Sequence, residues 1–193
     1  MQTEKYRKAA DAGDNEFSNF VNYGVKKKPE GKYKLHRILM VCGYILFCII
    51  YLIVFLVPVK LAMMITFLPV LTWILVYFTW YWVNIYYEYM IIGGSLRLLE
   101  IFGMRRMRVM CEFKISSLTI AAPYTGEYRK EADSAEITRR IYGVSSMKSP
   151  DVYFGIYTDS DGELTAVFFE ATEKTLKAMR YYNPNVVMSK TRL

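Results

Sequence analysis

The chain has 193 residues, 53% hydrophobic and 22% charged, and its 25 Lys and Arg against 18 Asp and Glu give a formal net charge of +7. That length holds one or two small domains, and the charged fraction excludes wholesale disorder. The apolar residues are concentrated: the 46 residues from Ile38 to Val83 hold one charge, Lys60, whereas the helices and strands of a soluble enzyme need a polar face.

Residues 1–37 read as a polar, basic N-terminal arm, with a short helix over 4–12 and an irregular segment as alternatives. Six of the twelve residues 26–37 are basic, namely Lys26, Lys27, Lys28, Lys32, Lys34 and Arg37, and Glu30 alone opposes them. Their first role is an orientation signal for a membrane protein; their second is a patch for anionic headgroups.

The run 38–83 is about twice the ~20 residues that cross a bilayer core. It divides at Pro58-Val59-Lys60, because proline disfavours a helix interior and a mid-bilayer charge is costly. The predicted transmembrane helical hairpin therefore has spans of 20 residues (38–57) and 23 residues (61–83), joined by a tight turn. Pro69 is expected inside the second span, as a kink site. Trp80, Tyr81, Trp82, Tyr86 and Tyr87 suit an interfacial belt. The Lys and Arg distribution predicts a multi-pass cell-membrane protein with both termini cytoplasmic. No signal peptide is expected, since 37 residues precede the first span.

Residues 84–187 read as a cytoplasmic β domain, and 188–193 as a tail. Strands are expected over 86–92 and 95–102 around Gly93-Gly94, then over 107–113, where Met107, Val109, Cys111 and Phe113 share one face. A weaker strand begins at Ile115 and ends near Pro123. The charged stretch 125–140 is expected to be a loop with a short helix over 133–140. Strands over 141–145, 151–158 and 163–170 follow, the last two joined by Asp159-Ser160-Asp161-Gly162. Thr172 caps a helix over 173–182, ended by Pro184.

The stretch EYMIIGGSLRLLEIFGMRRMRVMCEFKISSLTIA and the closing VFFEATEKTLKAMRYYNP give this order of elements a likeness. The chain resembles bacterial pleckstrin-homology-like (PH-like) domains tethered to paired transmembrane helices. More narrowly it resembles uncharacterised two-span membrane proteins of low-GC Gram-positive bacteria, a family of unknown function. The resemblance implies an α+β fold: two transmembrane helices, then a PH-like split β-barrel of about seven antiparallel strands with a C-terminal capping helix. It implies no catalytic residues.

Chemistry-bearing motifs are scarce. There is one histidine, His36, so no His pair exists for a metal or a relay. Cys42, Cys48 and Cys111 form no C-x-x-C and are read as small buried apolar residues. Asp159-x-Asp161-Gly162 has its glycine too early for a calcium loop. Nucleotide-binding and hydrolase motifs are absent from the sequence. No catalytic residue, metal or cofactor is therefore expected. The candidate site is the basic hairpin Arg105-Arg106-x-Arg108 with Arg97 nearby, which can grip phosphate headgroups or simply serve as a solvated strand edge. Residues 84–193 carry 15 basic against 13 acidic side chains, so nucleic acid is not an expected partner. The expected partners are anionic membrane lipids and a protein not identifiable from sequence. The expected function is a non-enzymatic, membrane-tethered interaction module. The rival is an accessory subunit of a larger membrane transporter or envelope complex.

Overall fold

The computed structural model describes residues 20–56, 62–103 and 106–188. The expected hairpin turn at Pro58–Lys60, most of the tail, Arg105 and the expected helix over 4–12 lie outside them. The chain forms two compact units. One is residues 28–85 with 102–106; the other is the remainder.

The first unit is built on helix α1 (Gly31–Leu56), a 3₁₀ segment Ala62–Phe67, helix α2 (Leu68–Thr79) and a 3₁₀ turn Trp80–Val83. Helix α1 starts seven residues before the expected span, because Lys32, Lys34 and Arg37 are good helix formers that extend it beyond its apolar part. At 26 residues it is about 39 Å long. Pro69 does not kink the second helix. It occupies the first turn of α2, where a missing N–H costs nothing, and the residues before it wind as 3₁₀ helix.

The two helices meet along a polar seam. The Tyr33 hydroxyl donates to the Val83 carbonyl at 2.5 Å, and the Tyr44 and Thr79 hydroxyls lie 2.6 Å apart. Cys48 Sγ is 3.5 Å from Thr72 Oγ1, and the Tyr51 hydroxyl donates to the Met64 carbonyl at 2.8 Å. Each polar group is thereby partnered inside the hairpin, as an apolar surrounding requires. The outward faces are apolar and open: Leu39 is 67% exposed and Trp73 66%. Cys42 is exposed and Cys48 half-buried at the seam, so the expectation of buried cysteines holds only for Cys111.

The second unit contains two four-stranded sheets. The first has the order β1-β2-β3-β4, from β1 (Phe20–Lys26), β2 (Ile85–Ile92), β3 (Ser95–Phe102) and β4 (Arg106–Lys114). The second, β5-β7-β8-β6, comprises β5 (Leu118–Pro123), β6 (Arg139–Tyr142), β7 (Val152–Thr158) and β8 (Leu164–Glu170). Several expectations need correction. There are eight strands among the described residues, since β1 occupies what was expected to be arm and pairs antiparallel with β2, Tyr23 opposite Tyr89. Not all are antiparallel, since β6 runs parallel to β8. The sheets also do not close as a barrel. The outer edge of β5 is taken by the C-terminal segment: Ala121 N–H donates to the Val186 carbonyl at 3.0 Å, and Met188 N–H to the Ala121 carbonyl at 2.8 Å.

Strands β7 and β8 are apolar on both faces, so both faces need cover. Residues 124–150 supply it on one side: Ala132, Ile137 and Val144 pack on Phe154, Ile156 and Phe168. The short helix within that segment is α3 (Arg129–Ala132), not 133–140, because Ala132 is its buried anchor and the chain from Arg139 is already strand. Sheet one covers the other side, where Phe113 stacks on Tyr157 with centroids 4.4 Å apart. Helix α4 (Glu173–Tyr182) closes the order, with the Thr172 side chain accepting from Thr175 N–H and Met179 fully buried.

Candidate functional site

The basic side chains flanking α1 do not all stand free in solvent. Lys26 ends β1 opposite Tyr86, and its ammonium sits 5.5 Å from that ring's centroid. Lys27 lies 5.6 Å from the ring of Tyr87. Within the helical unit, the Arg37 guanidinium lies 5.7 Å from the Trp80 ring. Such contacts hold a cation against an aromatic face while its outer side stays wet. Lys28, Lys32 and Lys34 are exposed. The Tyr33–Val83 bond sets the start of α1 beside the end of α2. One end of the helical unit therefore carries Lys28, Lys32, Lys34 and Arg37 together with Trp80, Tyr81 and Trp82.

The turn after β3 belongs to this same end. Gly103 N–H donates to the Asn84 carbonyl at 2.7 Å, and the Phe102 and Trp82 rings lie 6.3 Å apart. Gly103 has φ +52°, and a Cβ there would lie 2.5 Å from Tyr81 Cβ, so only glycine fits. This glycine passes the chain to Arg106 at the head of β4.

The arginines of the expected hairpin do not form one cluster. Arg97 is spanned by Glu112, with Nε to Oε2 at 2.9 Å and Nη2 to Oε1 at 3.0 Å, a bidentate cross-strand pair that uses its fork. Arg105 lies outside the described residues. Arg106 and Arg108 are exposed and alternate with Met107 and Val109, which are 62% and 52% exposed. Thus the expected apolar face of this strand is buried only at Cys111 and Phe113. The first half of β4, an edge strand, presents cations on one side and bare apolar side chains on the other.

Elsewhere the ionisable groups are structural. Burial raises the Cys111 thiol to about 12, so it holds its proton at neutral pH and has no nucleophilic thiolate. The same cause raises Tyr157 to about 12. The buried Tyr89 hydroxyl donates to the Gly143 carbonyl and accepts from Glu170 N–H at 3.3 Å. Glu170 in turn accepts from Ser145 N–H at 2.7 Å. Sequence reasoning missed this network, and the only signal for it was an acidic residue ending an apolar strand. Asp159–Gly162 is a hairpin turn, in which Gly162 N–H donates to the Asp159 carbonyl at 3.0 Å. Among the described residues no group of three His, Cys, Asp or Glu could hold a metal.

A model of the family described as Bacterial PH-like domain (DUF6106) matches residues 17–189. The chain belongs to that family. The match takes in β1, both apolar helices and every later element, so the family pattern includes the strand placed before the helices. No curated protein and no solved structure matches the chain. Membership establishes a PH-like domain of unknown biochemical role and brings no catalytic residue with it.

Proposed function

We propose that this PH-like protein is a non-enzymatic interaction module anchored in the membrane by its helical hairpin, with both termini cytoplasmic. The observation that carries the reading is the hairpin itself. Its two segments, Gly31–Phe55 of 25 residues and Met64–Val83 of 20, are long and apolar enough to cross a bilayer and are almost unburied within the protein. Polar groups turned to the seam and aliphatic groups turned outward fit a lipid surrounding. Basic and aromatic residues gathered at one end fit the cytoplasmic interface. The exposed Arg106 and Arg108, with Met107 and Val109, are assigned to anionic headgroups and the acyl boundary beneath them. Lys26, Lys27, Lys28, Lys32, Lys34 and Arg37 add to that attraction.

Membrane anchoring is tested by washing isolated membranes at alkaline pH; release of the protein into the supernatant would refute it. For the strand, a polarity-sensitive dye is attached at Val109→Cys in a chain whose Cys42 and Cys48 are Ala, reconstituted in vesicles. Its emission should shift to the blue when anionic lipid is added to neutral vesicles. Arg106→Gln with Arg108→Gln should abolish the shift; a shift that survives both changes sinks the assignment.

A further inference from the structure

An open sheet edge offers a row of unpaired backbone groups to another chain. In the second sheet the C-terminal segment takes the outer edge of β5, and β6 is only four residues long and opens on Arg139 and Arg140. In the first sheet helix α4 lies beside β1. Strand β4 differs. At nine residues it is the longest described strand, and among the described residues it pairs with β3 alone. Its sequence, RMRVMCEFK, alternates between two faces. Arg106, Arg108, Met110, Glu112 and Lys114 share one face. Met107 and Val109, 62% and 52% exposed, stand on the other. Two arginines can guard an edge against stray pairing, but a purely protective edge would not also leave Met107 and Val109 bare.

We infer that β4 pairs antiparallel with β4 of a second copy of this chain, about a two-fold axis at Val109. Self-pairing about a two-fold puts one residue opposite its own copy and thereby fixes every other pair. Charge selects among the registers. Centred on Arg108 or on Glu112, the pair sets that charge against itself. Centred on Cys111, it sets Arg108 against Lys114. Centred on Met110, it joins Arg108 to Glu112 but sets Arg106 against Lys114, so attraction and repulsion cancel. Centred on Val109, it joins Arg106 of each copy to Glu112 of the other, and no like charges stand directly opposite. Glu112 can take this second cation. Its carboxylate already receives the Arg97 fork, but an ionised carboxylate has further lone pairs, and the side chain is 45% exposed. On the other face the same register sets Val109 against its copy and Met107 against Cys111, so the bare apolar side chains gain cover. The pairing uses the backbone edge and leaves both faces of the strand open, so it does not depend on the membrane placement proposed above.

The test uses the full chain in mild detergent, its mass read by light scattering with bound detergent subtracted. The parent should have the mass of a dimer. Arg106→Glu should halve that mass, because both ends of the strand pair then hold like charges. Glu112→Arg should halve it for the same reason with the sign reversed. Mixing the two variants should restore the dimer, since each end then holds opposite charges again. The register is read by oxidative cross-linking in a chain whose Cys42 and Cys48 are Ala. Val109→Cys places the two thiol-bearing Cβ atoms about 5 Å apart and should cross-link. Met110→Cys, whose two copies are out of step along the strands, should not. Adding Arg106→Glu should abolish the Val109→Cys product. Far-UV circular dichroism checks that each variant folds. Should Glu112→Arg, which also breaks the pair with Arg97, fail to fold, the mass of Arg106→Glu and the cross-links decide. A monomeric parent overturns the inference, as does a dimer that survives Arg106→Glu or a mixture of folded variants that stays monomeric. A Met110→Cys product as strong as that of Val109→Cys overturns the register.

Discussion

At the residue scale the strongest commitments are buried polar groups. Tyr89 is 1% exposed, stacks on Tyr23, and links Gly143 to Glu170 through its hydroxyl. Tyr89→Phe keeps the ring but leaves a buried carbonyl and a buried N–H short of a partner. The expected loss is about 1–3 kcal/mol, read from chemical denaturation. Cys111 and Tyr157 make stability depend on alkaline pH. Both are held neutral in the fold up to about 12, from ordinary values of 9.0 and 10.0. The unfolded chain therefore loses these protons first, binds fewer than the native state, and gains stability as pH rises. Folding stability should fall from about pH 9 toward pH 12. Cys111→Ala should remove the earliest part of that decline, between pH 9 and 10; denaturation curves for parent and variant that fall in parallel there would contradict the assignment. The burial of Cys111 was legible in sequence, but that of the Tyr89 and Tyr157 hydroxyls was not, because burial of one hydroxyl depends on which strands face each other.

At the scale of elements, the hairpins and the terminal helix were legible and the outer pieces were not. Gly93-Gly94 and Asp159–Gly162 announce their turns through residues that adopt positive φ, and both turns are present. Strand β1 alternates Val21, Tyr23 and Val25 with Asn22, Gly24 and Lys26. Asn and Gly are poor strand formers and the partner strand lies some sixty residues on, so a local reading saw only a polar arm. Segment 124–150 was obscure for a related reason: its work is to cover the second sheet, and its few apolar contacts have no period. The register gives β1 a testable weight. With β1 present, β2 is an interior strand; without it, β2 exposes a row of unpaired backbone groups on an apolar edge. A chain beginning at Lys28 should show a lower melting temperature and concentration-dependent aggregation in mild detergent, compared with one beginning at residue 17. Equal melting and equal monodispersity would show that β1 is dispensable. The basic hairpin was legible only as composition. Sequence could not show that Glu112 engages Arg97, since cross-strand partners depend on register.

At the scale of the whole molecule, the proposed membrane placement raises the question of which way the hairpin faces, and charge should decide it. The two spans have no acidic or basic residue inside their described helical parts beyond Lys32, Lys34 and Arg37 in the opening turns of α1. Nothing within the spans therefore opposes either orientation. The bias must come from the flanks, where residues 1–37 carry nine Lys and Arg and residues 57–61 carry one, Lys60. Because the start of α1 lies beside the end of α2, the charges before the first span and those after the second act on the same side rather than in competition. Arg97 and Arg108, on strands that follow the second span, add to the same bias. Replacing Lys26, Lys27, Lys28, Lys32, Lys34 and Arg37 by Gln leaves Lys5, Arg7 and Lys8 before the spans, and the asymmetry across the first span falls from nine against one to three against one. The expected result is a mixed population, with the β domain on both sides of the membrane. It is read by protease digestion of sealed inside-out vesicles: the parent chain should be wholly cleaved in its β domain, and a protected fraction should appear in the six-fold variant. Adding two Lys beside Lys60 in that variant should enlarge the protected fraction. If the variant is cleaved as completely as the parent, the basic cluster is not what orients the protein, and attraction to anionic headgroups is left as its role.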